Sequence, residues 1–505
     1  MEFIFLESLR IFVGFEAVSN HQSPIASLYF HSLLLFIYAF AIAYLFLYGI
    51  AQLNLLYHYR KEKKVIEILQ STDNQFVTIQ LPIFNERYVV ERLLDAVLAI
   101  DYPKELLEIQ ILDDSTDETT TLIAQKLKEF QNLGLSINHI RRENRAGFKA
   151  GALAFGTAIA KGDFIAIFDA DFLPKPDFLK QTLPYFSNLK IGLVQTRWSH
   201  LNENYSLLTQ IQAFALDAHF TVEQGGRNKG EYFINFNGTA GVWRKTCIED
   251  AGGWQFNSIT EDLDLSYRAQ LKGWQFDFLE NVESPAELPV EMNALRSQQF
   301  RWTKGAAECA IMLVPVLRKH QSIGLGAKIH GFFHLMNSAG YVLMLLLALL
   351  CYPVSVYVGF SPLFITLATI FQANWLILLL FYATAYFKNK SNNVLTFSWR
   401  FVSFMIFMAG LSLQNSVAVL EGWLNIKTPF VRTPKFNITQ QNEQWRLNQY
   451  VSRAVNPIVW FEIGLLFYFI FVLVNAFLLG IYGIVPFYLM LSLGYATVIT
   501  CTFKR

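Results

Sequence analysis

The sequence predicts an α/β domain inserted between transmembrane α-helices, and three observations lead there. The 505 residues are 53% hydrophobic and only 16% charged, with mean hydropathy +0.30, which is too apolar for an ordinary soluble enzyme and fits a multi-pass membrane protein with a substantial polar part. Apolar runs long enough to span a bilayer lie near 28–53 and beyond 331, leaving a polar stretch from about 76 to 302 between them. Inside that stretch, short apolar runs alternate with helical ones. Net charge is +1, so no basic face is offered to nucleic acid, and none is expected as a partner.

The elements follow in order. Residues 1–15 carry Glu2, Glu7 and Arg10 without a basic start or a small-residue cleavage site, which predicts a short interfacial helix rather than a signal peptide. The first span covers 28–53. The basic cluster that follows, His58 to Lys64, places that end and the polar domain in the cytoplasm. Strands are expected over 76–81, 107–112, 135–140 and 163–168, with helices over 86–100, 119–130 and 148–160. This βαβ alternation predicts a mostly parallel sheet with helices on both faces and ligands at the carboxyl ends of its strands.

Further spans are expected near 331–354, 363–387, 458–478 and 481–500. The run 399–420 has basic residues on both flanks and carries Ser412, Gln414, Asn415 and Ser416, so an interfacial helix is expected there. The total is five spans, with Lys504-Arg505 inside. The chain divides into 1–64 (interfacial helix and first span), 75–302 (the soluble domain) and 303–505 (interfacial helices and four spans). The four cysteines show no paired or metal-type spacing and read as reduced packing residues.

Polar signatures punctuate the soluble part. Asp169 and Asp171 follow an apolar strand two residues apart, and in extended backbone that spacing points both carboxylates the same way. Two hard oxygen ligands suit Mg2+ or Mn2+, completed by substrate phosphates and water. Asn85-Glu86 and Asp113-Asp114 also end strands, so three polar strand ends converge on one crevice. Helix capping accounts for part of Asp113-Asp114-Ser115-Thr116-Asp117, alongside contacts to a ribose or base. Lys149 lies among small residues opening a helix, where a phosphate is favoured; a solvated lysine is the plain alternative. Thr260-Glu261-Asp262 offers Asp262 as a general base, against a capping box begun by Thr260. Gln298, Arg301 and Trp302 share one helical face, where indole can stack on a sugar while Gln and Arg reach hydroxyls or phosphate; an interfacial aromatic belt is the alternative.

Taken in order, the set resembles the processive family 2 glycosyltransferases of the cellulose synthase superfamily. Gln80-Leu81-Pro82-Ile83-Phe84-Asn85-Glu86, Leu112 to Asp117 and Thr260 to Leu265 are most similar to the cellulose-synthase-like mannan, glucomannan and β-glucan synthases. The resemblance implies a GT-A-type catalytic domain. It places Asn85, Glu86, Asp113, Asp114 and Lys149 on the nucleotide-sugar donor, Asp169 and Asp171 at the Mg2+ or Mn2+ ion, and Thr260, Glu261 and Asp262 at the catalytic centre. Gln298, Arg301 and Trp302 would hold the acceptor end and the diphosphate, and Asn237, Gly238 and Thr239 lie in a stretch that looks like the acceptor-side loop. Phe430-Val431-Arg432-Thr433-Pro434-Lys435 is similar to the cellulose synthase gating loop (Phe-x-Val-Thr-x-Lys), with Arg432 in place of valine and Thr433 and Lys435 as phosphate contacts.

The implied activity is inverting, processive synthesis of a β-linked glycan, β-1,4 in this family, from GDP-mannose or UDP-glucose, with the growing polysaccharide passed across the membrane. The implied setting is the inner or plasma membrane, or the Golgi in a eukaryote. The residues leave oligomerisation and accessory subunits open. The alternative is transfer of a single sugar to a lipid, as in ceramide glucosyltransferases.

Overall fold

The computed structural model describes residues 24–61, 75–130, 134–358, 362–390, 392–429, 431–440, 443–446, 448–451 and 454–503. The helix expected over 1–15, residues 62–64 of the basic cluster, Phe430 and Lys504-Arg505 lie outside the described residues.

Helix α1 (Pro24–Arg60) leads into a seven-stranded sheet. Its strands are β1 (Val77–Ile83), β2 (Leu107–Asp113), β3 (Ser136–Ile140), β4 (Phe164–Ile167), β5 (Ile191–His200), β6 (Gly241–Arg244) and β7 (Gln275–Ala286), in the order β3-β2-β1-β4-β6-β5-β7. Four pairings are parallel, as expected, but β6 runs antiparallel to both β4 and β5. The chain reaches β6 along the ligand edge, where the Ala240 amide already bonds the Ile167 carbonyl (2.8 Å), so the strand can only run back through the sheet.

Both faces of the sheet are covered. Phe164 and Ala166 of β4 join one apolar cluster, which α2 (Val90–Leu98) closes with Val90, Leu93, Leu94 and Val97. Ile165 and Ile167 join the opposite cluster, under Leu153 of α4 (Phe148–Ile159) and Leu265 of α5 (Glu261–Leu271). Alternation along each strand accounts for this division. The face under α4 also buries a polar ladder, with Thr78 donating to Glu108 (2.8 Å) and Gln80 to Gln110 (3.0 Å). A Cβ at Gly156 would meet Gln80 and Gln110 at 2.7 and 2.9 Å, so glycine is what lets α4 sit on the ladder. The expected helix 86–100 starts only at Val90, because Glu86–Val89 form a turn with Glu86 facing the ligand edge.

Beyond the sheet come α6 (Met292–Lys319), α7 (Leu325–Leu335), α8 (Ala339–Val358), α9 (Pro362–Asn389), α10 (Val394–Gly410), α11 (Ser412–Trp423), α12 (Ile458–Leu478) and α13 (Val485–Phe503). Among the described residues five helices are long and apolar enough to cross a membrane, and α10 with α11, bent by 53° at their break, would make six if counted as one span. This is a membrane protein. The span expected over 331–354 begins instead at Ala339, because α7 is held on the sheet domain: the Tyr267 hydroxyl is 2.8 Å from His334 Nδ1, and Tyr232 stacks on His330 at 4.0 Å. Ser412, Gln414, Asn415 and Ser416 are all buried in protein, which explains their polarity in an apolar run. Gln414 shares a fully buried fork with Arg296 of α6 and Glu462 of α12, joining the sheet domain to the spans (Arg296 to Glu462, 2.7 and 2.8 Å).

Candidate active site

The carboxyl ends of β1, β2 and β4, the start of α5, one face of α6 and the segment 431–435 enclose a cavity of about 190 Å³. Its donor side begins with loops after β1 and β2. Asn85, at φ +55°, accepts from the Thr116 amide (2.8 Å), while its own amide donates to Ser115 Oγ (2.9 Å), so it staples the two loops and does not line the cavity. Glu86 and Asp114 do line it. Asp114 takes both arms of Arg142, with Nε to Oδ1 at 3.0 Å.

Asp113 turns inward instead. It accepts from the Ser115 amide (2.9 Å) and Thr120 (2.8 Å), with His139 Nε2 at 3.0 Å. Burial opposes its ionisation, yet these hydrogen bonds outweigh burial and hold the carboxyl down at about 2. Of the adjacent pair, only Asp114 lines the cavity. Glu86 is the contrary case. Burial pushes it up to about 8, against the pull of Arg432.

Asp169 and Asp171 both line the cavity, though not by strand alternation. β4 ends at Ile167, and Phe172 N closes a turn on the Asp169 carbonyl (3.0 Å), so the two carboxylates leave a turn and take different partners. Lys149 Nζ meets Asp169 Oδ1 at 2.5 Å, and Lys435 Nζ meets Asp171 Oδ2 at 2.6 Å. Burial disfavours the Lys149 charge, but Asp169 and Glu261 outweigh it and hold its pKa above the usual lysine value. Among the described residues no three His, Cys, Asp or Glu side chains are grouped to hold a metal on their own. Two carboxylates beside a phosphate-sized space are still the donor set Mg2+ or Mn2+ takes when substrate phosphates complete the shell. The residues fit such an ion.

Asn237-Gly238-Thr239 crosses between the donor side and α5. Thr239 Oγ1 accepts the Asp169 amide (2.9 Å) and so positions that loop from outside the cavity, whereas Asn237 and Gly238 line it. Gly238 has φ +83°, and a Cβ there would stand 3.1 Å from Asp262 Oδ2. Only glycine leaves that carboxylate room.

Thr260 precedes α5 without capping it. Its hydroxyl bonds Ser258 Oγ (3.1 Å), and Gly305 of α6 packs so closely on it that a Cβ there would meet Thr260 Cγ2 at 2.4 Å. The capping-box alternative therefore fails: α6 occupies the threonine. Glu261 and Asp262 point into the cavity together. Burial, reinforced by the neighbouring Glu261 carboxylate, pushes Asp262 up to about 7. Burial also raises Glu261. Gln298, Arg301 and Trp302 of α6 form the opposite wall. Arg301 is half-buried, and desolvation lowers its pKa, but Glu261, Asp169, Asp262 and Asp171 all act on it, and it donates towards Thr433 Oγ1 (3.4 Å). Four carboxylates are thus gathered around one guanidinium.

Sequence reasoning missed Arg142, Trp198, His200 and Glu287. Trp198, His200 and Glu287 lie on the cavity at the ends of β5 and β7, where the strand-end rule that found Asp114 applies equally. Arg142, two residues past β3, shows itself only through its partner.

Residues 74–305 match the family described as Glycosyltransferase like family 2. That segment is a family 2 glycosyltransferase domain. Similar proteins include probable glucomannan 4-beta-mannosyltransferase 4 of Oryza sativa subsp. japonica, 41% identical over 290 residues, which are 56% of this chain and 53% of that protein. Glucomannan 4-beta-mannosyltransferase 2 of Arabidopsis thaliana is 39% identical over 269 residues, 52% of this chain and 50% of that one. The chain spans about half the length of the curated relatives it matches. The resemblance to cellulose-synthase-like mannan and glucomannan synthases is borne out by these relatives. Among solved structures, mannosyltransferase PcManGT from Pyrobaculum calidifontis in complex with GDP-Man and Mn2+ superposes with TM-score 0.55 at 17% identity, covering 79% of this chain and 99% of that one. At that identity the likeness concerns the fold, which is GT-A-type as the motifs implied.

Proposed function

We propose that this protein is an inverting, polymerising mannosyltransferase that extends a β-1,4-linked mannan or glucomannan from GDP-mannose, with its domain on the cytoplasmic side and the glycan leaving between the spans. The observation that carries this reading is the convergence of Asp114, Asp169, Asp171, Asp262, Arg301 and Trp302 on one cavity. The glucomannan mannosyltransferases among its relatives and the GDP-mannose bound by the Pyrobaculum protein favour GDP-mannose over UDP-glucose.

In this reading Trp302 stacks on the terminal acceptor sugar, and Gln298 orients its hydroxyls. Asp262 takes the proton from the attacking hydroxyl, for which a carboxyl near neutrality is suited. The oxygen bonds to the anomeric carbon from the face opposite the diphosphate, and the bond from that carbon to the diphosphate breaks. An α-linked donor thereby yields a β-linked product. Arg301, Lys149 and Lys435 meet the charge on the departing nucleoside diphosphate. A divalent ion held by Asp169 and Asp171 would neutralise part of that same charge. Thr433 and Lys435 bring the segment after α11 onto the cavity, which favours a site that closes on each donor over one that releases a single-sugar lipid.

Purified protein supplied with GDP-mannose, UDP-glucose or UDP-galactose and Mn2+ tests this. The expected product is a mannanase-sensitive polymer with 1,4 linkages, made from GDP-mannose. A discrete glycolipid, or polymer from UDP-galactose alone, would overturn it.

A further inference from the structure

We infer that Arg432 and Glu86 together read the nucleobase of the donor and select guanine over uracil. This rests on the proposed donor site and adds to it a specificity device that the resembling gating loop, with valine at this position, lacks.

Three observations carry the inference. Arg432 Nη1 lies 3.0 Å from Glu86 Oε2, with both side chains largely buried, yet neither of these two atoms completes a hydrogen bond. A buried ion pair with unmet hydrogen-bonding capacity is costly unless something else satisfies it, and this one faces a ligand cavity. Next, the pair stands among flat groups suited to a base. Arg432 covers the Tyr450 ring at 4.1 Å, and Arg145 covers Phe84 at 3.2 Å. Aromatic faces and guanidinium planes are what nucleobases stack on. Finally, Arg432 is held from the far side: Tyr450 bonds Asp117, and the Gln449 amide donates to the Tyr88 hydroxyl (3.1 Å). The guanidinium is therefore placed rather than floating.

The chemistry of the pair then discriminates. With Glu86 ionised, which in the resting protein requires a pH above about 8, the arginine beside its carboxylate offers a donor followed by two acceptors. The edge of guanine presents the complement: O6 accepts, and N1–H and the 2-amino group donate. Uracil presents acceptor, donor, acceptor, so its second carbonyl would face a carboxylate oxygen. Inosine keeps O6 and N1–H but lacks the amino group, which isolates the contact between that amino group and Glu86.

The test is equilibrium binding of GDP, IDP and UDP, with Mn2+, to the full-length protein in detergent, buffered just above pH 8 so that Glu86 is ionised. The expected wild-type order is GDP tighter than UDP by about 10- to 100-fold, with IDP about tenfold weaker than GDP. Arg432→Val should bring GDP and UDP within about threefold, and Glu86→Gln should erase the gap between GDP and IDP. Arg432→Lys keeps the charge without the fork and should also narrow the GDP preference, which guards against a misfolded valine variant; the IDP comparison needs no variant at all. An unchanged GDP-to-UDP ratio in both arginine variants, or wild-type protein that favours UDP, overturns the inference while leaving the donor site standing. Failure of the wild type to bind either nucleotide removes the donor site itself.

Discussion

At the strand ends Asp113 is met by Ser115, Thr120 and His139, and Asp114 by both arms of Arg142; at the start of α5, Glu261 is buried and Asp262 half-buried beside it, with far less to satisfy them. In the first pair Asp113 is held ionised, and Asp114 is fixed in place by Arg142. In the second, burial and mutual repulsion lift Asp262 to about 7, whereas Asp113 is held at about 2. The same residue type therefore has two uses in one domain. A saturated carboxylate is a rigid part that orients a ligand, while an undersatisfied one near neutrality can exchange a proton during turnover.

This contrast can be broken by removing one charge from each region. Asp262→Asn is nearly isosteric and removes the base, so transfer should fall by about 10²- to 10⁴-fold while GDP affinity stays within about threefold of wild type. Asp114→Asn should do the reverse. It frees Arg142 and loosens the donor loop, raising the donor KM about tenfold with a smaller change in kcat. Steady-state kinetics with a GDP-release assay and direct GDP binding would separate the two. Equal losses of kcat in both variants would mean that the two regions do not divide the work.

A pH profile sharpens the same comparison. With Asp262 near 7, kcat/KM should rise through about pH 7 and level off above it, falling about tenfold per unit on the acid side. Asp113, already ionised far below that range, should contribute nothing to the limb. Activity that is flat between pH 5 and 8 would show that Asp262 is not buried as described, or is not the base.

Much of this was legible in advance, and what was not has definite causes. Strands β1 to β4 and helices α3 (Thr119–Phe130) and α4 lie where local periodicity put them, because both faces of the sheet are buried and the pattern is strong. The acids at strand ends were legible for the same reason. Which acid of a pair faces the cavity was not, since Asp113 and Asp114 differ only in what lies across from them, and Arg142 is 28 residues beyond Asp114. The spacing of Asp169 and Asp171 predicts extended backbone, but the strand stops two residues before Asp169 and the chain turns. The pairings of Lys435 with Asp171 and Arg432 with Glu86 join chain segments more than 260 residues apart, beyond the reach of any periodicity. Span boundaries failed where a run is apolar for protein rather than lipid, as in α7, whose two buried histidines answer to the sheet domain.

The smallest expected effect is on stability, and there the two regions should differ in sign. Asp113 has a folded pKa below the ordinary value of 3.8, so its ionisation stabilises the fold above about pH 4, and that contribution disappears as pH falls towards 2. Asp113→Asn should therefore cost about 1–3 kcal/mol at neutral pH, having lost charge-assisted bonds inside the domain. Asp262 has a folded pKa raised from 3.8 towards 7, so the folded state holds its proton more tightly than the unfolded chain, and stability is lost as pH climbs between those values. Asp262→Asn should thus raise the melting temperature by about 2–4 °C at pH 8, and the gain should vanish near pH 4. Scanning fluorimetry of the two variants at both pH values reads this directly. Destabilisation by Asp262→Asn at pH 8 would mean that the carboxylate is already satisfied in the resting protein, leaving Asp113 and Asp262 alike and the contrast between binding and reacting acids without a physical basis.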